Sequence, residues 1–248
     1  MIIVGLTGSI GSGKTTFADF LSAQADSSGH WESWQLVAEV AAGLRRNTVS
    51  HPSPDDPADI NRWLEPLPEI VERVCRKKVS FDKLKVTEAR LRKNPELYDK
   101  LLEYLGDMQA EPSLQGLEIT ETNKESLRSI LQWLGGYLAK KCGGDIWYAE
   151  IIRRIRSKSD LELATIGGVR FPDDAKCVTG AGGVIVEIVR PGVKERDKND
   201  LTERERKLIH RDCVVYNDGS LEDLAACAKS VVADLKNGVL APEYHASN

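Results

Sequence analysis

The stretch Gly8-Ser9-Ile10-Gly11-Ser12-Gly13-Lys14-Thr15 fits the pattern G-x-x-x-x-G-K-[ST] at every fixed position. Ahead of it stands the apolar run Ile2-Ile3-Val4-Gly5-Leu6, short enough for a buried strand. Behind it Phe17, Ala18 and Leu21 recur at helical spacing. In that strand, turn and helix context the pattern reads as a phosphate-binding loop. Backbone N–H groups must come close to phosphate oxygens, and side chains at Gly8, Gly11 and Gly13 would block the approach. The following helix adds the positive end of its dipole. Lys14 supplies a point charge toward the β- and γ-phosphates and Thr15 a hydroxyl toward Mg²⁺, so ATP and Mg²⁺ are the expected cofactors. The expected cofactor-binding stretch is Gly8, Ser9, Ile10, Gly11, Ser12, Gly13, Lys14, Thr15 and Thr16.

At 248 residues the chain has room for an α/β core carrying an inserted subdomain. With 41% hydrophobic and 29% charged residues, the composition excludes a disordered or fibrous chain. A net charge of −4 argues against general nucleic-acid binding, so any anion site must be local. Cys75, Cys142, Cys177, Cys213 and Cys227 show neither C-x-x-C pairing nor zinc spacing, which fits reduced thiols in a cytoplasmic protein. No apolar run reaches the length of a membrane span, and the N-terminus lacks a signal-peptide pattern.

Along the chain, Asp26 to Gly29 reads as a loop and Trp34 to Val37 as a second strand running into Ala38 to Arg46. Three prolines between His51 and Pro57 mark where the core is left. From Leu67 to Glu111 the pattern is helical and highly charged. Leu97, Leu101, Leu105 and Met108 form an apolar stripe that needs a partner, and a homodimer through this helical insert is one way to supply it. Arg73 to Lys93 holds nine Lys or Arg against Asp82 and Glu88, which reads as a solvated face or as a phosphate-attracting rim.

Thr122 to Glu125 has capping-box spacing before a helix through Leu127, Ile130, Leu134 and Leu138. A further helix spans Asp145 to Arg156. Leu161 to Val169, Val184 to Val189 and Cys213 to Tyr216 read as strands, with Pro172 opening a short helix and Ser220 capping the last one. Ala241 to Asn248 reads as a frayed tail. The expected fold is an α/β, doubly wound five-stranded parallel sheet opened by the phosphate loop, with an inserted helical subdomain. Its core comprises residues 1–46 and 120–248, its insert 47–119, and its candidate lid the charged segment 190–211.

Several segments carry a resemblance. Leu131-Gln132-x-Leu134-Gly135, Asp145-Ile146-Trp147, Val169-Arg170-Phe171-Pro172-Asp173-Asp174, Gly182-Gly183-Val184 through Arg190-Pro191, and Asn217-Asp218-Gly219 are similar to the phage-type deoxynucleoside monophosphate kinases. The likeness covers the N-terminal loop and Arg128 to Leu224, not the insert. It implies a fold of the P-loop nucleotide kinase type and phosphoryl transfer from ATP to a small nucleotide substrate. Lys14, Arg170 and Arg190 would be catalytic, Arg128, Gln132 and Arg170 would bind the acceptor, and Asn217 and Gly219 would join the cofactor site. Forked guanidinium groups suit that chemistry, which spreads charge over equatorial oxygens.

The chain also departs from the pattern. Gly168 stands where the family has an acid before V-R-F, so Mg²⁺ is expected at Thr15 with Asp145, Asp173 or Asp174 as the compensating carboxylate, Asp174 first because it aligns with the family's acid after R-F-P. Gly135-Gly136-Tyr137 and Lys140 replace a Gly-Thr-Glu with a later Arg, and Asp200 to Glu203 replaces a His-x-Ser-Glu. The N-terminal loop also resembles dephospho-coenzyme A kinases, but Ala38-Glu39 stands where that family has Asp-x-Asp. A nucleotide-binding protein without catalysis is the third reading.

Overall fold

In the computed structural model the residues described are 1–46, 52–53, 56–87, 93–110, 118–193 and 201–246. They divide into two compact units, Met1–Ser33 with Ile151–Asn248, and Trp34–Glu150. The segment 47–119 lies inside the second.

The first unit is built around β1 (Ile2–Thr7). This strand pairs in parallel with β3 (Leu163–Gly167) on one side and β4 (Val184–Val189) on the other. Outside β3 lies β2 (Ser28–Glu32), and outside β4 lie β5 (Cys213–Tyr216) and then β6 (Glu243–His245), giving the order β2-β3-β1-β4-β5-β6, all parallel. β2 and β3 lie to one side of β1 and the later strands β4, β5 and β6 to the other, so the strand order reverses direction at β1 and the topological switch falls at its C-terminal end. Ligands bind there in open parallel sheets.

Six strands replace the five expected, and the extra one is in the tail. There Ala246 N–H donates to the Tyr216 carbonyl at 3.0 Å and the Tyr244 hydroxyl donates to Asp234 Oδ2 at 2.6 Å. Ala246 is buried, so residues 241–246 of the tail are docked rather than frayed, and 247–248 lie outside the described residues. The second strand also moves. Trp34 to Val37 belong to α2 (Ser33–Arg46), where Leu36, Val37, Val40, Ala41 and Leu44 are buried at helical spacing. The polar segment Ser28–Glu32 forms β2 instead.

Helices cover both sheet faces. On one, Phe17 and Leu21 of α1 (Lys14–Ser22) and Leu224, Ala228 and Val231 of α11 (Leu221–Asn237) pack with Val4, Leu6, Val186, Ile188 and Val215. Ser220 caps α11 as expected, accepting from Asp223 N–H at 3.2 Å while Asp223 accepts from Ser220 N–H at 2.9 Å. On the other face α9 (Pro172–Gly180) lies over β1 and β4. Gly5 there leaves the space that Ile185, Val169 and Val178 fill.

In the second unit α3 (Pro57–Leu64), α4 (Leu67–Cys75) and α5 (Phe81–Leu84) precede α6 (Pro95–Ala110) and α7 (Arg128–Cys142). The helical run expected from Leu67 breaks at Arg76, whose φ of 52° is left-handed. Leu101, Leu105 and Met108 are buried and α6 packs on α7, so the apolar stripe is covered within the chain. Trp63 stacks on Tyr104 and Trp133, and Trp133 on Tyr137, with centroids 5.1 to 6.1 Å apart. The capping box does not form. Asn123 Oδ1 accepts the Thr120 N–H at 2.8 Å, and α7 starts at Arg128 with no side-chain cap. α8 (Ile146–Arg156) follows, and α10 (Leu201–Arg206) lies between β4 and β5. Of the expected lid, residues 194–200 lie outside those described, as do Arg90 and Arg92 of the basic run. Among the described residues no helix is long and apolar enough to cross a membrane.

Candidate functional site

The loop Gly8–Thr15 joins β1 to α1. Gly8, Gly11 and Gly13 all have positive φ. At Gly8 a Cβ would collide with the Ile188 carbonyl, and at Gly13 it would stand 2.6 Å from Asn217 Nδ2. Glycine is therefore required at both places by conformation and by space. Lys14 Nζ curls back over the loop, donating to the Gly8 and Ser9 carbonyls at 2.8 and 2.7 Å. Asn217, at the end of β5, donates from Nδ2 to the Ser12 carbonyl at 2.9 Å and so braces the loop from outside. Among the described residues Ser12 Oγ is buried without a hydrogen-bond partner, a polar atom poised inside the cradle. These features suit a polyphosphate.

Beside the loop is a narrow cleft lined by Gly8, Ile10, Lys14 and Arg170, with Gly168, Val169 and Arg206. Three cations thus face one small space. Arg170 is exposed at the C-terminal end of the β3 segment, where a substrate would meet it. Arg206, from α10, was not singled out in the sequence, because it sits within a mixed-charge run. Its Nη1 donates to Glu187 Oε1 at 2.7 Å and its Nη2 to Ser9 Oγ at 3.1 Å. Glu187 projects from β4 opposite Thr7 and also pairs with Arg211. A lone acid in an apolar strand was the available signal.

Asp174 is buried, and its Oδ2 accepts the N–H groups of Arg170 at 3.1 Å and Phe171 at 3.0 Å. The carboxylate therefore closes the start of α9 and fixes the backbone that carries Arg170. Burial pushes its pKa up to about 6, against the lowering effect of those two bonds and of Arg170. Gly168 has φ of +70°, and a Cβ there would meet nothing within 4 Å. The backbone conformation, not crowding, favours glycine over an acid at this position.

The other expected residues are distributed as follows. Thr15 is exposed and Thr16 half-buried at the start of α1. Arg190 is exposed just past β4. Gly219 lies against the tail, where a Cβ would collide with the Ala246 carbonyl. Arg128 and Gln132 are exposed on α7, in the second unit, and Arg128 grips Glu125 through Nε at 2.9 Å and Nη2 at 3.1 Å. Among the described residues no three His, Cys, Asp or Glu side chains gather to hold a metal. Mg²⁺ fits nonetheless through the Thr15 hydroxyl, because this ion usually takes one or two protein ligands and completes its shell with phosphates and water.

A parallel α/β sheet with a glycine-rich loop at its switch point, and cations converging beside that loop, is consistent with the P-loop nucleotide kinase type of fold. Within that class, the family model for deoxynucleotide monophosphate kinase matches residues 77–227, more than half of the chain, and the chain belongs to that family. The match starts after the loop, so the two lines of support are independent. It also reaches into the helical insert, which the likeness read from the sequence left out. No curated protein matches the chain.

Proposed function

We propose that the protein transfers the γ-phosphoryl group of ATP to a deoxynucleoside monophosphate, with Mg²⁺. The observation that carries this reading is the convergence of Lys14, Arg170 and Arg206 on one cleft beside the Gly8–Thr15 loop in a member of this kinase family. The loop from Gly8 to Thr16 would take the ATP phosphates on its backbone N–H groups, with Asn217 holding the loop in shape. Lys14 would turn from the loop carbonyls to the phosphates. Arg170 would hold the acceptor phosphate in line, its backbone fixed by Asp174. Two substrates that repel each other are thereby held at one place, and charge spread over the transferring group is met by fixed cations. Mg²⁺, held at Thr15, supplies further charge neutralisation when bound. Asp174 serves in this reading as the cap of α9, and its carboxylate is the acid that would join Thr15 in holding Mg²⁺. Arg128 and Gln132 are proposed for the acceptor nucleoside, and Arg190 for the transferring phosphate.

The test is ADP release from ATP and Mg²⁺ against a panel of ribo- and deoxyribonucleoside monophosphates and dephospho-coenzyme A. Turnover with a deoxynucleoside monophosphate is expected. Preference for dephospho-coenzyme A would overturn the acceptor assignment, and nucleotide binding without turnover on any acceptor would favour a non-catalytic role.

A further inference from the structure

Glu187 and Arg206 are both nearly inaccessible, with side-chain exposures of 9% and 8%. A carboxylate repels phosphate, so its burial beside a cleft built for anions needs a reason. Here one guanidinium spans two anchors, Nη1 on Glu187 at 2.7 Å and Nη2 on Ser9 Oγ of the loop at 3.1 Å, while it lines the cleft with Lys14 and Arg170. Arg211 takes the second carboxylate oxygen, so the cluster keeps one net positive charge. As a mere tie between α10 and β4, a buried ion pair has little advantage over apolar packing. As a holder for a charged fork it has a clear one, since a guanidinium already oriented loses little freedom when an anion arrives.

We propose that Arg206 contacts the nucleotide's phosphates and that Glu187 is its positioning residue. The proposal rests on the nucleotide reading of the loop given above. Ser9 Oγ is the contact that a phosphate oxygen would share or replace, because it accepts from the same fork. Glu187 itself touches no phosphate, and its effect passes through the direction of the Arg206 fork.

The test measures binding of AMP and Mg·ATP to the full chain by calorimetry, apart from turnover, with melting temperature as a separate readout. Arg206→Ala is expected to weaken Mg·ATP about tenfold or more, the loss that a charged hydrogen bond carries, and to weaken AMP far less. Added guanidinium, well below denaturing concentration, should restore part of that loss. Glu187→Gln keeps the shape and removes the charge, and should lower the ATP-to-AMP affinity ratio several-fold. In turnover it should raise KM for ATP more than it lowers kcat. A Glu187→Gln protein with a lower Tm and an unchanged ratio would show a purely structural tie and overturn the proposal. If that variant does not fold, Arg206→Lys decides, since an unchanged ratio with the fork removed overturns the proposal and a reduced one supports it. Wild-type protein that binds neither nucleotide overturns the nucleotide reading and this proposal together, whereas wild type that binds ATP isolates the failure to Arg206 and Glu187.

Discussion

Lys14 and Asp174 show how differently two charged residues of one site are held. Lys14 is half-buried and satisfied by the carbonyls of its own loop, so its removal leaves the core untouched. Lys14→Ala should cost about a hundredfold or more in kcat, by analogy with loss of one fixed donor from a charge-stabilising site, with Tm changed by a few degrees at most. Steady-state kinetics beside a thermal melt check both halves, and wild-type turnover in the variant would remove Lys14 from the mechanism. Asp174 is a buried acid whose pKa rises from its ordinary 3.8 to about 6. The folded chain therefore keeps a proton that the unfolded chain sheds, so the stability this group contributes is fully present below pH 3.8 and lost as pH rises through 6. Asp174→Asn keeps an acceptor oxygen for the Arg170 and Phe171 N–H groups and has no charge to bury. Its stability relative to wild type should climb between pH 4 and 7, by at most about 3 kcal/mol, in urea titrations across that range. A constant difference would mean that the carboxyl does not titrate there.

At the scale of elements, Gly219 and the tail offer a test of what the Asn-Asp-Gly turn is for. The residue was expected at the cofactor, yet its Cα faces the Ala246 carbonyl so closely that no Cβ fits. Gly219→Ala should destabilise the chain by about 1–3 kcal/mol through overpacking and leave Mg·ATP affinity near wild type. The clash partner directly follows β6, so in a chain ending at Leu240 the same substitution should cost much less, with only the Asp223 carboxylate, 2.9 Å from the added Cβ, left to give way, a coupling that a double-mutant cycle reads directly. An undiminished cost in the shortened chain would place the strain elsewhere. The turn also shows why some elements were legible in the sequence and others were not. Val184 to Val189 is an interior strand buried on both faces and Cys213 to Tyr216 one buried on one face and half-buried on the other, and their apolar runs, broken only by Glu187, identify them. The edge strands β2 and β6 read Ser-Gly-His-Trp-Glu and Glu-Tyr-His, with no buried face to impose a pattern. Trp34 to Val37 misled because a four-residue stretch with three apolar side chains fits a strand as well as a helix until the spacing of Val40, Ala41 and Leu44 is added. In the site, the loop and Arg170 were legible from motif, but Glu187 and Arg206 were not. Their pairing across 19 residues exists only once β4 and α10 are folded against the loop.

Taken as a whole, the molecule carries a net charge of −4 and five cysteines without a disulfide among them. The cations of the cleft are a local exception to that charge, and the thiols can report on the integrity of both units. Cys75 and Cys142 belong to the second unit and Cys213 and Cys227 to the first, and all four are buried, whereas Cys177 on α9 is partly exposed. Burial raises the Cys142 and Cys227 thiols and pushes Cys213 up to about 12. The reactive species is the thiolate, so a raised pKa and poor access act together to suppress attack on a disulfide reagent. In the native protein at pH 8 such a reagent should therefore consume one thiol quickly, Cys177, and the remaining four only as the chain opens. In denaturant all five should react at once. Cys177→Ser should abolish the fast phase and leave the slow one unchanged, and the slow rate should then measure opening of the two cores rather than chemistry at sulfur. A second fast thiol in the Cys177→Ser protein would show that one of the cores is open to solvent in the native state, and mass spectrometry of the labelled peptide would say which.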